Sequence, residues 1–336
     1  MKKRSVMKRI TAAFMLTLTM VLLSGCNPMV LDPKGPVGDS QRDLIWISTL
    51  LCAIIIVPVL ILTAVIVWRY RDKPGNKAAY KPKWEHSTKL ETIWWGIPIV
   101  IIVILAVVTV RYTYHLEPSK PLESEKEPLV IEVTSLDWKW LFTYPEQNIA
   151  TVNYLKFPED RPIEFKLTSD APMNSFWIPQ LGGQIYTMSG MAMTLFLQAD
   201  EPGVYYGAGA NFTGKDFGKM RFDATATSEE EFAAWVQEVK GTGTELTMDG
   251  YGKLAEQGTA EIQSFSGYPQ GLFNSIVNKY AVPGSGGHHH GGESTESAEY
   301  SKASTDEAKS TADDQEMNMD MDAEMDMDHE HHADHE

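Results

Sequence analysis

Two long apolar stretches limit what this chain can fold into. They cover residues 44–67 and 93–110, and each is about long enough to cross the hydrocarbon core of a bilayer as a helix. Pro58 and Pro98 interrupt them, but proline is tolerated in membrane helices because neighbouring groups satisfy the freed carbonyls. We therefore predict two transmembrane helices, the second extending over residues 91–112.

The segment between the two stretches, residues 68–90, predicts the orientation of the helices. It carries seven basic residues against only Asp72 and Glu85. The basic residues are Arg69, Arg71, Lys73, Lys77, Lys81, Lys83 and Lys89. Loops with such an excess of lysine and arginine stay on the cytoplasmic side of a membrane. We expect both ends of the mature chain on the outer side.

The N-terminus has the pattern of a bacterial lipoprotein signal. A basic start and a fourteen-residue apolar run, too short to span a membrane, lead to Leu23-Ser24-Gly25-Cys26. We predict a signal peptide over residues 1–25, a lipid-modified Cys26 and an outer segment over residues 26–43. The other cysteine, Cys52, lies in an apolar stretch, so the mature chain has no pattern for a disulfide framework, a zinc site or an iron–sulfur site.

A β-rich outer domain follows the second apolar stretch. After a polar linker at 113–128, short strand-like runs alternate with turns over residues 129–227, a spacing typical of a sandwich or barrel. The candidate strands are 129–135, 138–144, 151–157, 162–169, 176–179, 193–199, 203–208 and 219–226.

A helical extension is predicted over residues 228–283. Ser228 and Glu231 form a capping box at its start. The apolar stripe that follows predicts one helix, and a second stripe predicts another at 272–280.

The last segment, residues 284–336, accounts for nearly all of the chain's acidity. Its sixteen acidic and two basic residues supply −14 of the net charge of −16. Such a composition buries too little apolar surface to fold alone, and we predict a disordered tail. Its methionine and histidine clusters predict at most weak copper binding. No nucleic-acid partner is expected.

One loop of the outer domain has the outline of a copper-binding loop without its ligands. Residues 206–220 resemble the loop of cytochrome c oxidase subunit II that holds the dinuclear copper centre, with the approximate pattern G-x-C-x-E-x-C-G-x-x-H-x-x-M. The ligand positions are held here by Gly209, Asn211, Thr213, Phe217 and Met220, and a further histidine position by Asn174. Thiolates and imidazoles hold copper in such a site, and one thioether does not replace them. We expect no metal in the folded domain.

Several motifs together resemble subunit II of the bo-type ubiquinol oxidases, in the haem–copper oxidase superfamily. They are Leu31-Asp32-Pro33-Lys34-Gly35, His86-Ser87-Thr88-Lys89-Leu90-Glu91, Leu116-Glu117-Pro118-Ser119-Lys120-Pro121-Leu122, Asp137-Trp138-Lys139-Trp140 and Tyr144-Pro145-Glu146-Gln147. The resemblance implies a membrane-anchored α+β protein. Its parts would be a two-helix transmembrane hairpin, a periplasmic cupredoxin-like sandwich or barrel, the helical extension and the tail.

The resemblance also implies a function. The chain would be a non-catalytic docking subunit of a proton-pumping quinol oxidase in the bacterial inner membrane. Subunit I of the complex would hold the haems, the copper of the oxygen site and the quinol site. The partners would be subunit I, the other membrane subunits and lipids.

Four residues receive specific roles from this resemblance. Glu91, at the cytoplasmic start of the second span, matches a glutamate near the mouth of a proton channel, although an acid also suits the first turn of a helix. Trp138 and Trp140 match an aromatic segment for electron entry in copper-bearing relatives. Without copper we expect these two to pack in the core or at an interface, and Met220 to pack in an apolar core.

Two other functions stay open from the sequence. The first is an electron-entry subunit that accepts from cytochrome c, which the missing copper ligands disfavour. The second is a lipid-anchored periplasmic copper-binding or assembly protein that uses its tail, which the two spans and the ligand-free domain disfavour.

Overall fold

A computed structural model describes residues 14–15, 28–76 and 85–280. Helix α1 spans Pro36–Arg69 and α2 spans Thr88–His115. Both are long and apolar enough to cross a membrane, by length and composition only. The domain after them is built on strands, with three shorter helices near its C-terminal end. The predicted fold class, two apolar helices followed by a β-sandwich with a helical extension, is confirmed.

Helix α1 begins eight residues before the predicted span. Its 34 residues give a length of about 51 Å, well beyond the hydrocarbon thickness of a bilayer. Pro36 occupies the first helical position, where a missing N–H costs nothing. The start of the helix and the residues just before it lie against the β domain: Lys34 N–H donates to the carbonyl of Gln180 at 2.8 Å, and Gly38 N–H to that of Leu181 at 3.1 Å. The first part of α1 therefore belongs to the outer domain.

Eleven strands in the described residues form two sheets. They are β1 Leu129–Leu136, β2 Lys139–Tyr144, β3 Ile149–Val152, β4 Tyr154–Pro158, β5 Ile163–Ser169, β6 Asn174–Trp177, β7 Ile185–Thr187, β8 Met193–Leu197, β9 Gly203–Gly209, β10 Arg221–Thr227 and β11 Gln263–Phe265. One sheet has the order β11-β3-β2-β1-β5-β8 and the other β4-β10-β9-β6-β7. The pairs β1–β5 and β4–β10 are parallel, and the remaining pairs are antiparallel.

The six-stranded sheet is buried on both faces. Alternate residues of a strand point to opposite sides, so Trp140 and Phe142 enter the core between the sheets while Leu141 enters a second cluster. Helices α4 (Met248–Ala255) and α5 (Leu272–Lys279) contribute Leu254 and Ile276 to that second cluster. The extension therefore covers the outer face of this sheet.

The prediction of a single strand over residues 151–157 was wrong, because two strands, β3 and β4, occupy this stretch. Asn153 has a φ of 61°, in the left-handed region that asparagine tolerates better than most residues. Its side chain accepts from the Trp140 N–H at 2.9 Å and donates to the Ala260 carbonyl at 2.7 Å. The chain changes sheets at this residue, so β3 and β4 lie in different sheets.

The extension contains more than the two predicted helices. Helix α3, Glu229–Gly241, begins as predicted, with the Ser228 hydroxyl accepting from the Glu231 N–H at 3.2 Å. Helix α5 ends one residue earlier than predicted. Helix α4 and strand β11 were not predicted, because both are short and α4 contains two glycines, Gly250 and Gly252.

Candidate functional site

The residues at the former histidine and methionine ligand positions contact each other in the core. Asn174 starts β6 and is 1% exposed, and its side-chain amide donates to the Met220 sulfur at 2.8 Å. The amide oxygen accepts from the Ser175 N–H at 2.7 Å. A Cβ placed on Gly209, at the end of β9, would lie 2.9 Å from the Asn174 Oδ1. Three of the predicted positions therefore converge on one point between β6, β9 and β10.

The loop that follows β9 is held by its neighbours. Asn211 donates through its side-chain amide to the Met173 carbonyl at 3.0 Å, and the Trp138 indole N–H donates to the Thr213 carbonyl at 3.1 Å. Phe212 and Phe217 meet edge to face with their centroids 5.7 Å apart. These contacts hold the loop in place although it lacks the cysteines and the histidine of a copper loop.

The side chains at this position do not fit a copper centre. An amide, a threonine hydroxyl and a phenyl ring stand where thiolates and imidazoles would be needed, and Met220 is engaged by Asn174. No group of three or more His, Cys, Asp or Glu side chains suited to a metal occurs within residues 28–76 and 85–280. These side chains therefore do not provide the ligands of an electron-accepting copper centre.

A surface cavity of about 310 Å³ opens beside the loop. Its walls include Trp177, Tyr206, Phe217, Met220 and Arg221. The Arg221 guanidinium lies over the Tyr206 ring, 5.8 Å from its centroid. The cavity is lined mostly by aromatic and small residues, and Arg221 adds one positive charge to the lining.

Of the two packing places expected for Trp138 and Trp140, core or interface, both residues occupy the core. Trp140 is fully enclosed and packs edge to face on Phe176 and Phe222. Trp138 occupies the β1–β2 turn with a φ of 62°, unusual for a bulky residue. Such a conformation persists only where surrounding contacts compensate for it. The contact of Trp138 with the Thr213 carbonyl ties the turn to the loop.

Glu91 lies in the first turn of α2 and takes part in its N-terminal cap. Its carboxylate accepts from the Ser87 N–H at 3.2 Å and lies 3.3 Å from Nδ1 of His86. The side chain is 43% exposed. Both the capping role and access to solvent are therefore compatible with its position. Cys26 and the tail at 284–336 lie outside the described residues.

A cluster around the buried carboxylate of Asp170, which sequence reasoning missed, joins the extension to the sandwich. The Asp170 side chain, 1% exposed, accepts from Tyr251 at 2.6 Å, and from Lys279 and Tyr280 at 2.7 Å each. Burial acts to raise the pKa of Asp170, but the hydrogen bonds from Lys279, Tyr251 and Tyr280 hold it below its usual value. No sequence pattern points to this cluster, because its members lie 81 to 110 residues from Asp170.

Comparison with known proteins places these features in a family. Residues 240–284 match the family described as COX Aromatic Rich Motif, which covers α4, β11 and α5. The chain is 48% identical over 262 residues to the ubiquinol oxidase subunit 2 of Acetobacter aceti, covering 77% of this chain and 85% of that protein. It is 49% identical over 265 residues to the cytochrome bo(3) ubiquinol oxidase subunit 2 of Pseudomonas putida, covering 78% and 84%.

A third relative and a solved structure also resemble the chain. The quinol oxidase subunit 2 of Bacillus anthracis is 46% identical over 259 residues, covering 76% of this chain and 89% of that protein. The periplasmic domain of cytochrome oxidase subunit II from Bradyrhizobium japonicum matches with 23% identity and a TM-score of 0.34, over 36% of this chain and 99% of that one. On the sequence identity and coverage, the chain belongs to the family of quinol oxidase subunit 2 proteins.

Proposed function

We propose that this chain is subunit 2 of a respiratory quinol oxidase, which oxidises quinol and reduces oxygen to water. The observation that carries the proposal is the identity of 48% over 77% of the chain to a protein named ubiquinol oxidase subunit 2. Subunit 2 anchors the complex in the membrane through two helices and presents an outer domain. The haems, the oxygen-site copper and the quinol site belong to subunit I.

The role of this chain is docking and stabilisation rather than electron transfer. Its support is the chemistry of the loop after β9, where the copper positions hold Gly209, Thr213, Phe217 and Asn174. These side chains offer no soft ligands, so electrons have no acceptor there. Quinol is membrane-soluble and delivers electrons to the membrane part of the complex directly.

Oxygen consumption by the purified complex tests this assignment. The complex should oxidise ubiquinol and should not oxidise reduced cytochrome c. Direct oxidation of cytochrome c by the pure complex would contradict the proposal, because it requires an electron acceptor on the outer face. Menaquinol as a second quinol donor identifies which quinone the complex uses.

The chain crosses the bacterial inner membrane twice and is acylated at Cys26. The basic loop at 68–90 and the pattern Leu23-Ser24-Gly25-Cys26 support this topology independently. Mass spectrometry of the mature protein should show cleavage before Cys26 and the added lipid. A Cys26→Ser variant should lose the lipid and a Cys52→Ser control should keep it; an unprocessed wild-type chain would contradict the assignment.

Glu91 takes up protons at the mouth of a channel that leads into subunit I. Its support is the partial exposure of the carboxylate at the loop end of α2. An ionisable group at such a place suits proton loading. A Glu91→Gln variant should slow turnover and proton uptake, while Glu85→Gln, an exposed acid on the same loop, should leave both unchanged.

Glu91 also caps α2, so the variant needs a structural control. Glutamine still accepts from the Ser87 N–H, and the heat stability of the complex should stay at the wild-type level. Equal turnover of Glu91→Gln and wild type across the pH range would refute the channel role and leave the capping role.

A further inference from the structure

Three methionines lie around one tight turn of the outer domain. Residues 188–193 read Met188-Ser189-Gly190-Met191-Ala192-Met193. The Met191 N–H donates to the Met188 carbonyl at 3.4 Å, and Gly190 has a φ of 76°. This is a four-residue turn with glycine at the third position, so its ends, Met188 and Met191, lie within roughly 7 Å at their Cα atoms.

The neighbouring strand brings a further methionine to the same turn. Strands β6 and β7 are antiparallel, and their ladder ends at the pair Asn174 and Thr187. Continued by one step, this register sets Met173 opposite Met188, and the hydrogen bond from the Ser189 hydroxyl to the Ala171 carbonyl keeps the two segments adjacent there. Residues opposite each other in an antiparallel pair have Cβ atoms roughly 5 Å apart. Met173, Met188 and Met191 therefore share one corner of the five-stranded sheet.

Hydrogen bonds hold this corner in place. The Ser189 hydroxyl donates to the Ala171 carbonyl at 3.0 Å, which joins the turn to the segment that carries Met173. The Thr168 hydroxyl donates to the Met188 carbonyl at 3.4 Å. The Asn211 amide donates to the Met173 carbonyl at 3.0 Å. The backbones of two of the methionines are thus restrained before any ligand binds.

The methionine residues of this corner are partly exposed to solvent. Met173 is 44% exposed and Met191 is 38% exposed, and Met188 is half-buried. Met193 instead packs on the core from strand β8. Exposed methionines contribute little to the core, so packing inside this chain does not account for their clustering.

The chemistry of the cluster favours one kind of ligand. Thioether sulfur is a soft, uncharged donor and selects soft cations such as Cu(I) over hard ions such as Mg²⁺ or Ca²⁺. The nearest carboxylate along the chain, Asp170, is engaged by Lys279, Tyr251 and Tyr280. The cluster therefore offers sulfur donors, and the Asp170 carboxylate, which would attract harder cations, is already hydrogen-bonded within the protein.

We propose that Met173, Met188 and Met191 form a binding site for Cu(I) on the outer domain. The site is distinct from the position of the lost copper centre, where Met220 is buried and engaged by Asn174. Ag(I), with the same charge and softness, binds there as well. This site goes beyond the role of the chain in the oxidase and adds a copper-binding activity outside the membrane.

The test compares Cu(I) binding by full-length chains purified from membranes in the complex. Wild type, the triple variant Met173→Leu/Met188→Leu/Met191→Leu and the control Met29→Leu/Met248→Leu are titrated without oxygen against a chromophoric Cu(I) chelator. Leucine conserves the volume of methionine closely, so the fold is retained. Met29 and Met248, 40% and 56% exposed, lie outside this corner. The tail contributes equally to all three proteins.

Wild type and the control should each bind one tightly held Cu(I) ion that the triple variant does not bind. Each single Met→Leu change in the corner should weaken the affinity for that Cu(I) ion about tenfold, which corresponds to ~1.4 kcal/mol. X-ray absorption at the copper edge should show sulfur neighbours that the triple variant lacks. The single variants keep the test decisive if the triple variant does not assemble.

Equal Cu(I) binding by wild type and triple variant would overturn the proposal. The proposal would also be overturned if the triple and single variants still bound Cu(I) but no longer associated with subunit I. That result would show that the methionines form an apolar contact with a partner subunit. Methionine is frequent at such adaptable surfaces, which makes this the strongest competing outcome.

Discussion

The Asn174 side-chain amide donates to the Met220 sulfur at 2.8 Å, in the buried interior between the two ends of the loop after β9. In copper-bearing subunits, by the resemblance of the loop, these two positions would hold a histidine and a methionine ligand. Here they form a polar contact within the protein. The Asn174 amide and the Met220 sulfur therefore pair with each other at the place where a copper centre would lie.

Replacement of Asn174 tests the structural value of this contact. Asn174→Ala removes the donor to Met220 and the acceptor of the Ser175 N–H, which is buried. An unsatisfied buried group costs about 1–3 kcal/mol, and the free energy of unfolding should fall by this amount. Denaturant titration followed by tryptophan fluorescence measures it.

The control for Asn174 is Met220→Leu, a change of similar volume at the other end of the contact. It keeps the acceptor of the Ser175 N–H but leaves the buried Asn174 amide N–H without its sulfur acceptor, so it should cost about 1 kcal/mol and less than Asn174→Ala. A larger loss of stability in Met220→Leu than in Asn174→Ala would show that the thioether, and not the amide, holds the loop.

Asp170 should make the attachment of the extension pH-dependent. Its pKa in the folded protein is below the usual value, because the hydrogen bonds from Lys279, Tyr251 and Tyr280 outweigh the effect of burial. The stabilisation is therefore fully present above the unfolded pKa, close to 4, and is lost as the pH falls through the folded pKa. Asp170→Asn should lower the free energy of unfolding at pH 7 by about 1.5–3 kcal/mol.

The difference in the free energy of unfolding between wild type and Asp170→Asn should be present at pH 7 and should shrink in acid. Thermal unfolding over a pH series measures it. Asp249→Asn is the matched control. Asp249 is 85% exposed and pairs with Lys253 on the surface at 3.1 Å, so its loss should change stability by at most about 1 kcal/mol. A pH-independent difference for Asp170→Asn would contradict the proposed charge of the cluster.

Trp138 should restrain the loop through its indole N–H. Trp138→Phe removes the donor to the Thr213 carbonyl, and amide hydrogen exchange in residues 210–219 should become faster. Trp140→Phe is the comparison, because its indole nitrogen is buried without a hydrogen-bond partner in the described residues. That variant should lower global stability through lost packing and leave the relative exchange rate of the loop unchanged. Equal exchange of the loop in Trp138→Phe and wild type would refute the restraint.

Gly35 should be needed for the close contact between the start of α1 and the β domain. A Cβ at this residue would overlap the Gln198 carbonyl oxygen, a backbone atom that a rotamer change does not move. Gly35→Ala should destabilise the outer domain by about 1–3 kcal/mol, as overpacking does. Protease sensitivity of residues 28–38 should rise together with this loss.

Gly96→Ala is the control for Gly35. Gly96 lies within α2 with nothing within 4 Å of a Cβ, so alanine should be neutral or stabilise the helix by about 0.5–1 kcal/mol in isolation. If Gly35→Ala leaves both stability and cleavage unchanged, the N-terminal segment does not dock as described.

The sequence predicts those parts of the site whose residues lie close together along the chain. Gly209, Thr213, Phe217 and Met220 lie within twelve residues, so their spacing identifies the loop and the lost ligands. The contact of Asn174 with Met220 joins residues 46 apart. Spacing places the two at related positions, but only the packing of β6 against β9 and β10 brings them together.

The sequence by itself determined the two apolar helices, the alternation of the strands and the start of α3 at Ser228. These follow from local composition and from interactions over three or four residues. The tertiary structure alone decided the extension of α1 into the outer domain, the change of sheet at Asn153 and the burial of Asp170 by Tyr251, Lys279 and Tyr280. Such contacts depend on which distant segments meet, because burial and hydrogen bonding act through space and leave no periodic pattern along the chain.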